Sequence, residues 1–212
     1  MNAVPDPYHE RLLRRARQGN EGAINELLGS YQNYLRVLAY SGLSPRLQAR
    51  VTVSDVIQET MLHAFGALKQ FHGDTREEFV AWIRTILASR IADAHEKHLR
   101  AARRDVRREV SIETISQNLS HSNLGLEAIA RSYLERSPGT AMVVQEQALK
   151  VADSIGSLPQ IYQQVIIARH FEGMSFEQIA VTVEKSSGAV RMIWLRAIQR
   201  LKQHLGDGSC ED

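Results

Sequence analysis

The chain has 212 residues, of which 43% are hydrophobic and 24% charged, and its formal net charge is +2. That length allows one or two domains, and the composition excludes a mostly disordered chain, a collagen and a multi-span membrane protein. No apolar run approaches the ~20 residues of a transmembrane helix, and Met1-Asn2-Ala3-Val4-Pro5-Asp6 lacks the apolar stretch of a secretory signal, so no membrane insertion is expected. Cys210 is the single cysteine, which excludes an intrachain disulfide and a multi-cysteine zinc site and agrees with a cytoplasmic location. The near-neutral total hides an uneven distribution. Residues 1–110 hold 17 Lys+Arg against 13 Asp+Glu, whereas residues 151–212 hold 6 against 7.

Nearly every segment has helical periodicity, with Gly and Pro between the patterns rather than inside them. Residues 7–18 read as a short basic amphipathic helix stopped by Gly19-Asn20. Residues 21–41 read as a second helix, with Ile24, Leu27, Leu28, Tyr31, Leu35 and Leu38 on its apolar face. Ser44-Pro45 opens a short turn or helix. Thr52-Val53-Ser54-Asp55 is a capping box for a helix running to about Gln70. Its face Ile57, Met61, Ala64, Phe65 and Leu68 is apolar. Asp55, Gln58, Glu59 and Leu62 recur at i, i+3, i+4 and i+7 on another face. Such a stripe suits docking on a basic partner, and it equally suits solvated helix surface; composition does not separate the two.

Residues 71–75, Phe-His-Gly-Asp-Thr, read as a loop before a long helix that starts near Glu77 and bears Phe79 and Trp82. Aromatics beside a loop can stack on unpaired bases, although helical aromatics are more often core. The long helix ends in Lys97, Arg100, Arg103, Arg104, Arg107 and Arg108, which from Arg100 follow one helical face. That is either a phosphate-facing stripe or a solvated helix end partly neutralised by Glu96, Asp105 and Glu109. Residues 109–139 read as a polar linker with one helix near 124–135, and residues 206–212 as a tail. Between them, residues 140–205 form a second helical block, so the expected fold is all-α, with two small helical domains (8–108 and 140–205) joined by the linker.

The most specific local pattern begins at Gly173. Ser175 and Gln178 form a capping box for a short helix, Glu184-Lys185-Ser186-Ser187 is a tight turn, and a longer helix follows with Ser186 or Ser187 as its cap. Val190, Ile193, Trp194, Ala197, Ile198, Leu201 and Leu205 make an inward stripe. Gly188, Met192, Leu195, Arg196, Gln199 and Gln203 face outward, flanked by Arg191 and Arg200. This is the layout of a helix-turn-helix whose second helix enters a DNA major groove; an ordinary helical hairpin has the same outline.

The order of these elements is more informative than any one of them. Ser54-Asp55-Val56-Ile57-Gln58-Glu59-Thr60, then Phe71-His72-Gly73-Asp74 and Phe79-Val80-Ala81-Trp82-Ile83, resemble region 2 of the extracytoplasmic-function class of sigma-70 RNA polymerase sigma factors. Leu158-Pro159-Gln160, the run 165–176, Ile179-Ala180 and 187–191 resemble region 4 of the same class. The resemblance implies a non-enzymatic subunit without cofactors that directs promoter-specific initiation. It implies that Asp55, Gln58, Glu59 and Leu62 dock on the clamp helices of the polymerase's largest subunit. It implies −10 contacts by Phe71, His72, Asp74, Arg76, Arg100, Arg103 and Arg104, and −35 contacts by Arg169, Ser187, Ala189, Arg191, Arg196 and Arg200. An anti-sigma factor is a common partner in the class, and no contact for one is identifiable here. The loop before Phe79 is longer than the minimal form, and Met192 stands where the class often has a polar residue. The alternative is a stand-alone helix-turn-helix regulator of transcription. An enzyme finds little support: there is no Gly-rich phosphate loop and no HExxH, and His95-x-x-His98 lacks a further ligand.

Overall fold

The structure is a computed structural model, and it describes residues 7–43, 45–48, 50–101, 111–133 and 141–207. Every regular element among the described residues is helical, as the periodicity predicts. Helix α1 (Pro7–Arg17) ends ahead of Gly19, whose φ of +85° reverses the chain. Asn20 then caps α2 (Glu21–Gly29) by accepting from the Ala23 N–H.

The pattern over 21–41 predicts one helix, but the structure has two, α2 and α3 (Gln32–Gly42). The break falls at Ser30-Tyr31 because Tyr31 turns inward. Its ring is buried against α1, where a 2.9 Å hydrogen bond joins its Oη to His9 Nε2. The kink lets α2 lie on α1 while α3 becomes the central element, in contact with most later helices. After the single turn α4 (Pro45–Gln48), α5 (Val53–Ala67) starts at the expected Thr52–Asp55 capping box and tightens into a 3-10 turn, Leu68–Gln70. The long helix is α6 (Arg76–Ala101).

The middle segment departs most from expectation. Instead of a linker with a helix near 124–135, residues Ile112–Tyr133 form one 22-residue helix, α7. Ser111 Oγ accepts from Thr114 N at its start. Ile115, Leu119, Leu126, Ile129 and Ala130 are buried, and α7 packs on α3 and α6. The polar members of this inner face are satisfied across the contact. Tyr34 Oη donates to Asn123 Oδ1 at 2.8 Å, and Ser41 and Ser122 share a hydrogen bond. Burial of such groups is tolerable only because they are paired.

The second block comprises α8 (Ala141–Gly156), α9 (Gln160–His170), α10 (Phe176–Thr182) and α11 (Ser187–Asp207). α8 buries Ala148, Val151, Ala152 and Ile155 and touches α3, α7 and α11. It approaches α3 closely at Gly156, where a Cβ would lie 2.6 Å from Asn33 Cγ; Asn33 Nδ2 donates to Asp153 Oδ1 at 3.0 Å. One continuous core thus runs from Leu12 to Leu205. A smaller core of Val165, Ile179, Ala180 and Val190 supports the helix-turn-helix. No helix among the described residues is long and apolar enough to cross a membrane.

Candidate nucleic-acid interface

The helix-turn-helix is built from its caps. Gly173 at φ +66° ends the turn after α9, and Met174 N donates back to Ala168 O. Ser175 and Gln178 make both bonds of the capping box that opens α10. Glu184 adopts φ +53° in the turn. Of the two possible caps for α11, Ser186 serves: its Oγ accepts from Ala189 N at 3.2 Å. Ser187 is therefore the first residue of α11. Gly188, Met192, Leu195, Arg196, Gln199 and Gln203 are all exposed on one face.

Arg169 and Arg191, 22 positions apart, converge on one ring. Their guanidinium carbons lie 4.8 and 5.3 Å from the Phe176 centroid, a cation–π arrangement. Arg169 Nη1 also donates to Met174 O at 2.9 Å, so both cations are held at the open end of the recognition helix. Arg200 rests over Tyr162 at 5.1 Å, about 20 Å along α11 from Ser187 at 1.5 Å per residue. Trp194, expected in the core, is only half-buried. It stacks on His170 and donates from Nε1 to His170 Nε2 at 3.2 Å. Burial and the Arg169 charge hold the His170 pKa below its ordinary value, which keeps Nε2 free to accept.

In the first block the loop after the 3-10 turn presents His72, Asp74 and Thr75 to solvent, with Arg76 half-buried. Phe71 is 7% exposed, with its ring against Phe79 and Trp82 at 5.7 and 5.0 Å. An apolar ring at the loop's root gains more from this cluster than from water, so in the free chain Phe71 supports the loop from beneath. Phe79 is fully buried, on the core side of the two readings. The close fit requires glycine at 73, where a Cβ would stand 2.4 Å from Phe71 Cζ.

Two residues that shape this loop escaped the sequence reading. Glu78 Oε2 accepts from Asp74 N, Thr75 N and Thr75 Oγ1 at 2.8–3.1 Å, and Thr75 Oγ1 accepts from Glu78 N. This is a capping box, and Thr75-x-x-Glu78 is its visible signal. Arg17 of α1 donates to Gly73 O at 3.2 Å and to Asp74 Oδ1 at 2.8 Å; no local spacing announces that contact. The side chain of Arg100, and Arg103 and Arg104 entirely, lie outside the described residues.

On α5, Asp55, Gln58, Glu59 and Leu62 are exposed on one face, and Leu62 is 73% exposed. Asp55 is also the capping partner of Thr52, accepting from its N and Oγ1. Gln58 and Leu62 edge a groove of about 490 Å³, completed by Met61, Phe65, Leu28 and Gln32. Phe65, which periodicity groups with the apolar face, is 40% exposed at this groove.

Residues 27–105 match the family model of sigma-70 region 2, and residues 148–202 match that of sigma-70 region 4. The chain is 26% identical over 196 residues to the ECF RNA polymerase sigma-E factor of Haemophilus influenzae, covering 92% of this chain and 94% of that one. It is 28% identical over 186 residues to the ECF RNA polymerase sigma-E factor of Escherichia coli, covering 88% of each. The chain belongs to the extracytoplasmic-function class of the sigma-70 family. Its region 2 match includes α5, the loop and all of α6, and its region 4 match includes α9, α10 and α11 as far as Lys202. All of α7 falls between the two matched regions. A solved structure, that of CnrH in complex with the cytosolic domain of CnrY, is 22% identical, covers 94% of this chain and 97% of that one, and has a TM-score of 0.35.

Proposed function

We infer that the chain is a sigma factor that binds core RNA polymerase and directs it to promoters. The observation that carries this is the presence, in order on one chain, of sigma-70 regions 2 and 4, each with an exposed surface of fitting chemistry. The protein acts by binding, on polymerase in the cytoplasm, and not by covalent catalysis. A stand-alone regulator would have no use for region 2 or for an exposed leucine in an acid and amide stripe.

In this reading Gln58, Glu59 and Leu62, with Asp55 at their N-terminal end, dock on the clamp helices. An exposed leucine ringed by polar groups is the pattern of an interface anchor. His72, Asp74 and Arg76 meet the −10 element on a loop held by Glu78 and Arg17. An unpaired base that enters the loop offsets the few kcal/mol of unstacking. Arg169, Ser187, Ala189, Arg191 and Arg196 face the −35 duplex, the arginines reaching phosphate or guanine edges. Met192, 50% exposed beside them, offers an apolar contact suited to a thymine methyl. Arg200 follows the backbone from the far end of α11, and Arg100, Arg103 and Arg104 extend the −10 contact.

The test is transcription in vitro with purified core polymerase on promoters recovered by genome-wide selection. Selective initiation that requires this chain is expected. A chain that shifts operator DNA tightly in a gel without core enzyme, and supports no initiation with it, is a stand-alone regulator instead.

A further inference from the structure

Arg11, Arg14 and Arg15 of α1 have no role in the promoter contacts proposed above. Arg11, Arg14, Arg15 and Gln18 recur at i, i+3, i+4 and i+7 and are all exposed, while His9, Leu12, Leu13 and Ala16 on the opposite face are buried. No ion pair forms on Arg11, Arg14 or Arg15 among the described residues. Cations in the last turn of a helix complement its dipole, which accounts for Arg14 and Arg15 but not for Arg11 in mid-helix. Three guanidinium groups on one face repel one another; the Glu26 carboxylate, bonded to Tyr8 near Arg11 and Arg15, offsets part of this, and a further anion on the face would offset the rest.

The placement of this face names the anion. α1 packs on the 3-10 turn Leu68–Gln70, which leads directly into the loop. Arg17, three residues beyond Arg14, is bonded to the loop at Gly73 and Asp74. Lys69 lies against the end of α1, its Cε 3.3 Å from where a Cβ on Gly19 would stand. The arginine row is therefore the positively charged flank of the loop that meets unpaired DNA.

We propose that the outer face of α1, through Arg11, Arg14 and Arg15, binds the phosphodiester backbone of the promoter strand next to the base held by the 71–76 loop. This rests on the sigma-factor reading. The planar guanidinium fork fits phosphate oxygens, and exposed cations close to a strand gain affinity by releasing counterions.

The experiment compares holoenzymes assembled from core polymerase and either the wild-type chain or R11Q/R14Q/R15Q. Promoter affinity is measured across a salt series. Three lost contacts to single-stranded phosphates make the slope of log affinity against log salt shallower by about 2. The single variant R11Q loses about 0.7 of that slope and serves if the triple variant fails to fold, as judged by its thermal unfolding. R11K/R14K/R15K, which keeps the charge, retains most of the slope. Core affinity is expected to be unchanged. An unchanged slope in R11Q and the triple variant overturns the proposal. So does weakened core binding with an unchanged slope, which would assign the face to an acidic polymerase surface. A wild-type holoenzyme that initiates at no promoter overturns the sigma-factor reading itself, a result distinct from either.

Discussion

Glu78 lies outside the loop it controls. Hydrogen bonds from Thr75 N, Asp74 N and the Thr75 hydroxyl hold its carboxyl below the usual carboxylate range. The hold is present at ordinary pH and is lost as pH falls through that depressed value. E78A is expected to slow opening of the −10 element while leaving core affinity unchanged. Permanganate reactivity of unpaired promoter thymines reads the first quantity, and a core pull-down the second. His170 has the opposite kind of partner. Its depressed pKa, caused by burial and then by Arg169, means that the unfolded chain binds its proton first as pH drops below about 6.5. The stability it supports is therefore present above that pH and is lost as pH falls through the folded value. Protonation of Nε2 also removes the acceptor for Trp194. Trp194 fluorescence and the melting temperature are expected to titrate with a midpoint below 6.5, and both transitions should vanish in H170Q.

At the scale of the element, the proposed function gives α5 two tasks in four residues. Asp55 starts the helix and stands in the proposed docking stripe, whereas the proposal gives Gln58 and Leu62 the second role alone. D55A is expected to lower stability by about 0.3–1.5 kcal/mol through the lost cap and to weaken core binding as well. Q58A/L62A should weaken core binding with little change in the unfolding midpoint. Thermal melts beside a core-binding titration separate the two, and a docking role for the stripe fails if Q58A/L62A binds core like the wild type. Elements marked by caps were the legible ones. Thr52 with Asp55, and Ser175 with Gln178, place α5 and α10 as expected because a capping box is a local interaction. The break between α2 and α3 was not legible, because it follows from Tyr31 finding His9 on another helix. The packing of Phe71 is illegible for a related reason: a loop aromatic looks free until Phe79 and Trp82 are brought against it.

At the scale of the molecule, α7 decides how the halves relate. Its buried residues face α3 and α6, and α8 closes over α3 through the Asn33–Asp153 hydrogen bond. A segment that merely tethered two domains would let them unfold independently. The continuous core predicts coupling instead. L119A, which removes most of a fully buried side chain, is expected to cost about 2–5 kcal/mol. It should lower the melting transitions of both blocks together. The two tryptophans, Trp82 in the first block and Trp194 in the second, let each block be followed in single-tryptophan variants. Transitions that separate, with only one of them shifted, would show α7 to be part of one block alone.

The sequence by itself determined the helical class, the helix-turn-helix, the acid and amide stripe and the order of the two sigma-70 regions. Helical period, capping boxes and motif order are properties of neighbours along the chain, so they survive without coordinates. Only the tertiary structure decided what the middle segment is. Ile115, Leu119, Leu126 and Ile129 are spaced for one face of a helix, yet the Ser, Asn and Gln between them dilute the composition to that of a linker. A sparse stripe forms a stable helix only when another surface covers it, and α3 supplies that surface from eighty residues away. The pairing of Arg169 with Arg191 on Phe176, and the grip of Arg17 on the loop, were settled in the same way, by contacts between helices that no local spacing records.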